Sequence, residues 1–201
     1  MFSALSDKEQ RILTIIAEEP GTPVSEIAEK LRVSQVTVRS QLNALAEKGF
    51  LLRTHGGALP AFHPSILERQ QSRRDTKEAL ARFAASRVSD GETIMIEAGT
   101  TTALIARFLM GRRDLKVVTN NMLVLPYARI NPGLNLSLIG GEFRAATESV
   151  VGPVAALALS RFHVETAFVG TDGFSLEHGF TTHLVEGAES VTAMAARAQR
   201  T

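Results

Sequence analysis

Glycine and threonine residues stand together in "AGTTT", which follows the apolar run "TIMIE" and precedes the helical pattern "ALIARFL". Gly99 allows the backbone to approach a ligand closely, and the three threonines after it offer hydroxyl and amide donors at the start of a helix, where anions bind. Arg144, in the later segment "GGEFR", could pair with the same anion. These residues predict an anion site, although each loop alone is weak evidence because such turns are common before helices.

Carboxylates accompany these loops. Asp172, in "TDG", and Glu189, in the last helical pattern, are suited to bind sugar hydroxyls. Together with Glu97 they could also act as acid and base on a sugar phosphate, so an isomerase-like enzyme is an alternative. The histidines at 163, 178 and 183 have spacings that fit no helical pair of metal ligands, and we expect no metal site and no catalytic residues of the Ser/His/Asp kind.

Strands and helices alternate from Thr76 to the end of the chain. The apolar strands "TIMIE", "KVVT", "LSLIG" and "TAFVG" are separated by helical patterns, which predicts an α/β fold with a mainly parallel sheet. Ligands bind beyond the carboxyl ends of the strands in such a sheet. The polar loops "AGTTT", "NN", "GGEFR" and "TDG" all fall there, so we expect them to form one site.

Three helical patterns occupy the first fifty residues. Ser6 and Glu9 have the spacing of a capping box that starts a helix ending before "PGTP". Ser25 is expected to cap a second helix, and Ser34 a third that ends at Gly49. Two helices joined by a tight turn, the second of them longer, are typical of a helix-turn-helix.

The third helix is expected to present its first turns to base edges in the major groove of DNA. Gln35 can read adenine and Arg39 can read guanine, while Thr37 and Ser40 offer short hydroxyls to phosphate or base. The alternative is that these side chains only form a solvated helix face.

The stretch "FLLRTHGGALP" follows the third helix and predicts a two-stranded wing. Gly56 and Gly57 are expected to form its turn, because glycine adopts the backbone conformations that tight reversals need. Arg53 and His55 would then come close to DNA phosphates or the minor groove, unless the hairpin only links two domains. The predicted DNA-binding residues are Ser34, Gln35, Thr37, Arg39, Ser40, Arg53, His55 and Gly56.

The bulk composition limits the class of protein. A length of 201 residues suits two domains, which we place at 1–60 and 76–201 with a linker over 61–75. The absence of cysteine excludes disulfides and cysteine-ligated zinc. The amino terminus shows neither a signal peptide nor a membrane segment. We expect a cytoplasmic protein with no cofactor and no membrane partner.

The motifs of both domains together resemble the DeoR family of bacterial transcriptional regulators. The segment "VSEIAEKLRVSQVTVRSQLNALAEKGFLLRTHGGA" is similar to the family's amino-terminal domain. The segments "IEAGTTTALIARFL", "VVTNN", "LIGGEFR", "ESVVGPVA", "AFVGTDGFSLEHGFTT" and "EGAESVTAM" are similar to its sensor domain in the same order. The resemblance implies a small winged helix-turn-helix domain followed by an α/β sensor domain that is similar to ribose-5-phosphate isomerase and CoA transferase.

The resemblance also implies a function. A repressor of a sugar or polyol catabolic operon is expected, whose partners are double-stranded operator DNA and a phosphorylated sugar that is sensed but not converted. A homo-oligomer is expected because helix-turn-helix proteins typically read paired half-sites. With Glu189 added from its own chemistry, the expected effector-binding residues are Gly99, Thr100, Thr101, Thr102, Asn120, Gly141, Arg144, Asp172, Gly173 and Glu189.

Two segments depart from the family's pattern. The family commonly has "RRDL" in the recognition helix where this sequence has "RSQL", so Ser40 and Gln41 replace a basic-acidic pair. Family members also commonly continue through a further strand and an "ADSSKF"-like loop, whereas this chain ends at "AARAQRT". We therefore expect the sensor domain to lack its C-terminal part, including the closing strand of the sheet and a lysine-bearing loop. A DNA-binding regulator with a vestigial sensor is a further alternative.

Overall fold

The structure is a computed structural model that describes residues 5–61 and 64–201. The chain divides into two compact units, Met1–Glu68 and Arg69–Thr201. The first unit consists of helices and a hairpin. Its elements are α1 (Asp7–Glu18), α2 (Val24–Leu31), α3 (Gln35–Glu47), β1 (Leu51–Thr54), β2 (Gly57–Pro60) and α4 (Pro64–Gln71), which continues into the second unit.

Side-chain caps define the helix starts in the first unit. The Ser6 hydroxyl accepts from the amide of Glu9 at 3.3 Å, and the Glu9 carboxylate accepts from the amide of Ser6 at 2.7 Å, which confirms the capping box. Ser34 caps α3 as expected, because its hydroxyl accepts from the amide of Thr37 at 3.1 Å. The expected cap at Ser25 is wrong. The helix α2 begins one residue earlier, after Pro23, whose fixed φ suits a helix start without a side-chain bond.

Aliphatic side chains at helical spacing fill the core of the first unit. Ile12 and Ile16 of α1, Ile27 of α2, and Val38 and Leu42 of α3 are at most 1% exposed and pack in one cluster. Each buried side chain of this size contributes about 1.5–3 kcal/mol to stability. The core thus fixes which face of α3 points outward.

The wing pairs its strands antiparallel, with Thr54 opposite Gly57. This register leaves His55 and Gly56 as the two turn residues, and Gly56 has a φ of 88°. The expectation that Gly57 belongs to the turn is wrong, because it begins β2. It approaches another segment closely: a Cβ at Gly57 would lie 3.0 Å from the carbonyl oxygen of Thr22.

The second unit alternates strands and helices. Its elements are α5 (Arg74–Ser86), β3 (Thr93–Ile96), α6 (Thr100–Phe108), β4 (Leu115–Thr119), a 3-10 turn (Met122–Val124), α7 (Leu125–Ala128), β5 (Leu134–Leu138), β6 (Glu142–Arg144), β7 (Ser149–Val151), α8 (Pro153–Leu159), β8 (Val164–Phe168), β9 (Gly173–Ser175), β10 (Gly179–Thr181), α9 (Val185–Ala195) and β11 (Ala198–Arg200).

A parallel sheet organises this unit. Within residues 64–201 it contains five strands in the order β11, β8, β3, β4, β5, all parallel to their neighbours. Met95 of β3 and Val118 of β4 pack with Ala155 and Leu159 of α8, while Ile94 and Ile96 are buried on the alternate positions of β3. The expected α/β fold with a mainly parallel sheet is confirmed.

Short polar strands were not expected from the sequence. The segment "GGEFR", expected to be a loop, contains β6, which pairs antiparallel with β7. The segment "TDG" leads into the hairpin of β9 and β10. Residues 198–200 form β11 beside β8, so the expectation that the sheet lacks its closing strand is wrong. These strands have only three residues each, too few for an apolar alternation to be visible.

Helices also differ from the sequence-based boundaries. Within the expected linker over 61–75, residues Pro64–Gln71 form α4, and α5 begins at Arg74 rather than Thr76. The helix expected over 122–130 is a 3-10 turn followed by the single turn α7, which has a proline in its first positions.

Candidate functional site

The strand order of the parallel sheet reverses at β3. The chain runs from β3 to β4 to β5 on one side, whereas β8 lies on the other side of β3. The carboxyl ends of β3 and β8 therefore meet at a topological switch point, where open α/β sheets form a ligand crevice. The loops after β3, β4 and β8 lie at this same edge because the strands are parallel.

Glu97 connects the two sides of the switch point. It follows β3, is 6% exposed, and its Oε2 accepts a hydrogen bond of 3.2 Å from the amide of Gly170 after β8. Burial raises the pKa of Glu97 from 4.5 to about 7, although hydrogen bonds from the amides of Gly170 and Ala98 oppose the rise. The crevice thus contains a carboxyl group that changes its charge near neutral pH.

Asn121 holds the loop that precedes α6. Its Nδ2 donates to the carbonyl oxygens of Glu97 at 3.1 Å and Gly99 at 3.0 Å, and its Oδ1 accepts from the amide of Leu123 at 3.0 Å. The Thr102 hydroxyl also donates to the carbonyl of Glu97, at 2.7 Å. The hydroxyl proton of Thr102 is thereby used within the loop, and the "AGTTT" segment has a fixed shape.

Asn120 is the exception among these buried polar residues. It is 1% exposed, yet neither Oδ1 nor Nδ2 of its side chain has a hydrogen-bond partner among residues 5–61 and 64–201. Leaving a buried polar group unpaired costs about 1–3 kcal/mol. Thr119 pairs with Ile96 in the register of β4 and β3, so Asn120 lies next to Glu97 at the end of the adjacent strand. Its amide is available to a ligand in the crevice.

Lys77 of α5 reaches the start of α6. Its ammonium donates to the hydroxyl of Thr100 at 3.2 Å and also to the backbone carbonyl of Arg69. Partial burial, and then the charge of Arg69, lowers the pKa of Lys77. The expected anion-binding residues Gly99, Thr100 and Thr101 therefore have a lysine beside them, which the sequence analysis missed.

Asp172 is held as an ionised carboxylate. Its Oδ2 accepts from the Thr182 hydroxyl at 2.9 Å and from the amide of His183 at 3.1 Å, while its Oδ1 lies 3.8 Å from Nη2 of Arg69. Burial acts to raise the pKa of Asp172, but the two hydrogen bonds and Arg69 outweigh it and the pKa is lowered.

The remaining expected effector residues occupy different settings. Gly141 is in close contact with β7, because a Cβ there would lie 2.6 Å from the carbonyl oxygen of Val151. Arg144 of β6 forms an ion pair of 2.7 Å with Glu186 at the start of α9. Gly173 begins β9, and Glu189 is exposed on α9.

The outward face of α3 is polar with one exception. Gln35, Arg39 and Ser40 are exposed, and Nη2 of Arg39 lies 3.5 Å from Oε1 of Gln35. Val36 is 73% exposed although it is a large aliphatic residue. The Thr37 hydroxyl is 2.9 Å from that of Ser34, so both hydroxyls belong to the helix cap. The sequence analysis passed over Val36.

The wing is attached to the start of α2. The carbonyl oxygen of Gly56 accepts from the amide of Val24 at 3.0 Å. Arg53 donates through Nη1 to the carbonyl of Gly57 at 2.7 Å, so part of its guanidinium binds its own hairpin. His55 is exposed at the turn.

Two kinds of site were searched for in the described part of the chain. No group of three or more histidine, aspartate or glutamate side chains there could hold a metal ion. No helix among residues 5–61 and 64–201 is long and apolar enough to cross a membrane.

Both units match domains of known proteins. The sequence profile of a DeoR-like helix-turn-helix domain matches residues 8–61, and that of the DeoR C terminal sensor domain matches residues 72–201. The chain belongs to the DeoR family. The resemblance seen in the sequence motifs is confirmed, and the second unit is a sensor domain rather than an enzyme.

Curated proteins similar to this DeoR-family chain are transcriptional regulators and repressors. FruR of Bacillus subtilis (strain 168) is an HTH-type transcriptional regulator that is 31% identical over 88% of this chain and 71% of its own length. The glycerol-3-phosphate regulon repressor of Escherichia coli (strain K12) is 30% identical over 81% of this chain and 66% of its own length. The lactose phosphotransferase system repressor of Lactococcus lactis subsp. lactis is 35% identical over 80% of this chain and 66% of its own length.

Proposed function

We propose that this DeoR-family protein is a DNA-binding repressor of a sugar or polyol catabolic operon, and that a phosphorylated sugar relieves the repression. The proposal is carried by the crevice at the switch point of a DeoR sensor domain, where the buried side chain of Asn120 has no partner among the described residues. Two of the relatives are named for a glycerol-3-phosphate regulon and for a lactose phosphotransferase system, which supports a phosphorylated carbohydrate as the effector class.

On the DNA side, we assign base reading to the exposed first turns of α3. Gln35, Val36 and Arg39 face solvent on a helix whose other face is fully buried, and such a helix enters the major groove in helix-turn-helix proteins. The exposed wing supplies Arg53 and His55 for phosphate contacts. Ser34 and Thr37 position the helix by capping it, and Ser40 and the backbone of Gly56 complete the proposed contact surface.

On the effector side, we assign the phosphate to the start of α6. The amides of Thr100 and Thr101 lie at the positive end of the helix. Asn120 offers one donor and one acceptor to sugar hydroxyls, and Asp172, held ionised, offers an acceptor. Gly99 and Gly141 shape the loops, whereas Thr102 fixes the first loop from inside.

The remaining expected residues take less direct roles in this proposal. Arg144 would have to exchange its partner Glu186 for the ligand, since the two are paired at 2.7 Å. Gly173 lies at the base of the β9–β10 hairpin, and Glu189 is placed at the rim of the site. Effector and operator binding are coupled, so that each weakens the other by the same factor, and a homo-oligomer reads paired half-sites.

The proposal is tested by selecting duplexes from a random pool with the full chain and then titrating the bound duplex with sugar phosphates and with the corresponding free sugars. We expect one sugar phosphate, but not its free sugar, to release the DNA. A protein that converts a sugar phosphate and retains no duplex would be an enzyme instead.

Thermal-shift titration distinguishes the vestigial-sensor alternative. A ligand at about a hundred times its dissociation constant stabilises its domain by roughly 2.7 kcal/mol. Tight DNA binding without a shift from any sugar phosphate would show that only the DNA-binding half of the proposal holds.

A further inference from the structure

Lys77 is a cation in surroundings that disfavour one. Its ammonium bonds only to neutral oxygens, those of Thr100 and Arg69. In the part of the chain that the structure describes, no carboxylate lies within 4.0 Å of its Nζ. The neighbouring charge is that of Arg69, which is also positive. Two cations are thus close together with one carboxylate, Asp172, at 3.8 Å from the second.

The helix α6 adds to this positive field. Its amino-terminal end carries a partial positive charge, which favours anions and disfavours cations. The preceding residue, Gly99, has no side chain to cap the amides of the first turn. An ammonium at this position is a source of instability unless an anion completes the site.

A second observation at the same edge also indicates a ligand. Asn120 is buried with both side-chain polar atoms unpaired among the described residues. Its neighbour Asn121 donates to the carbonyl of Gly99, the residue before α6, so Asn120 and the helix start belong to one connected set of loops. An anionic ligand with hydroxyl groups would satisfy both features.

We propose that Lys77 is the cation that binds the anionic group of the effector, with Arg69 contributing a second positive charge and the first amides of α6 contributing the hydrogen bonds. This inference rests on the proposed sensor function and names a residue that the family motifs do not. An ammonium has three N–H donors, and Lys77 uses two of them, for Arg69 and Thr100. The third is available to an oxygen of phosphate.

The experiment measures binding of inorganic phosphate to the full chain by isothermal titration calorimetry and by 31P NMR line broadening, at ionic strength balanced with sodium chloride. The wild type is compared with Lys77→Gln and Lys77→Met, which keep the aliphatic stem, and with Lys77→Arg, which keeps the charge. Lys116→Gln is the matched control, because Lys116 is an exposed lysine of the same unit that pairs with Thr93 at the opposite end of the sheet.

We expect both neutral variants to bind phosphate about ten- to a hundredfold more weakly, which is the range for losing a hydrogen bond from a charged group. Lys77→Arg and Lys116→Gln should bind as the wild type does, or within a fewfold of it for the arginine. Circular dichroism shows whether each variant is folded, and two neutral variants keep the comparison usable when one of them is not.

Two outcomes overturn the inference: equal affinities of wild type and a folded neutral variant, or no saturable phosphate binding by the wild type. Release of DNA by a sugar phosphate in wild type and Lys77→Gln alike would refute the role of Lys77 while leaving the proposed function intact. Phosphate binding that depends on Lys77, in a protein whose DNA affinity no sugar phosphate changes, would support the inference and refute relief by a sugar phosphate.

Discussion

Asn120 and Asn121 are adjacent and both buried, yet only Asn121 has partners for its side chain in the described part of the protein. Asn121 bonds to carbonyls of Glu97 and Gly99 and to the amide of Leu123. One residue therefore maintains the crevice, and the other faces an interaction that the protein alone does not supply. The two asparagines separate the stability of the site from its binding function.

Replacing each asparagine by alanine should give opposite results in urea denaturation. Asn121→Ala leaves buried carbonyl groups unpaired and should lower the free energy of unfolding of the sensor unit by about 1–3 kcal/mol. Asn120→Ala removes a group that is already unpaired and should leave stability unchanged or raise it, while abolishing the response to the sugar phosphate. A loss of stability in Asn120→Ala as large as that in Asn121→Ala would contradict this division.

Glu97 should make the stability of the sensor unit depend on pH. Its pKa is raised by folding from 4.5 to about 7, so its stabilising contribution is complete below pH 4.5 and is lost as pH rises to about 7. Over that window the loss is at most about 1.4 kcal/mol per pH unit. Asp172 and Arg69, the charged groups near it, keep their charges there, because the pKa of Asp172 is lowered.

Thermal denaturation between pH 4.5 and 8 measures this effect. Glu97→Gln, which remains neutral, should flatten the decline and become more stable than wild type above pH 7. Glu177→Gln is the control, since its side chain is 84% exposed. Parallel curves for wild type and Glu97→Gln would exclude a buried, protonatable Glu97.

Arg39 and Arg53 should contribute to DNA binding in different ways. Arg39→Ala removes a base contact, so it should weaken binding to a selected duplex by about 1–3 kcal/mol and relax the sequence preference. Arg53→Ala removes a phosphate contact, so it should weaken all duplexes alike and make the dependence on salt less steep. Fluorescence anisotropy at several salt concentrations measures both, with Arg161→Ala in the sensor unit as the charge-matched control. An unchanged salt slope in Arg53→Ala would contradict the assignment of the wing.

Val36 should read the methyl group of a thymine. It is 73% exposed on α3 beside polar residues, and aliphatic side chains in the major groove contact the C5-methyl group of thymine. Replacing thymidines by deoxyuridine one at a time removes that methyl group without changing base pairing. We expect one position at which deoxyuridine weakens binding by wild type but not by Val36→Ala. Equal losses at every position in both proteins would show that Val36 makes no such contact.

The strongest sequence patterns correspond to local interactions. The capping box of Ser6 and Glu9 and the cap at Ser34 were predictable because their partners lie three residues away. The parallel sheet was predictable because both of its faces are covered and its strands are nearly all apolar. These features need only short-range spacing and hydrophobicity.

Contacts between distant segments were not predictable. Lys77 lies in an ordinary charged helix, and only folding brings it to Thr100, 23 residues away. Gly57 was placed in the turn because two adjacent glycines look alike in sequence, whereas the close approach of Thr22 explains the second one. The pKa of Glu97 depends on burial after β3, which its own sequence neighbours do not reveal.

The position of Lys77 has a consequence for how the effector would act. Arg69 is the first residue of the second unit, and Lys77 ties its carbonyl to the start of α6. An anion that takes the third N–H adds a bond to this junction without displacing the other two. The effector would then stiffen the junction, and the conformational entropy removed there would oppose any rearrangement needed to hold the operator. Slower amide hydrogen exchange at the end of α4 on adding the effector would be its signature.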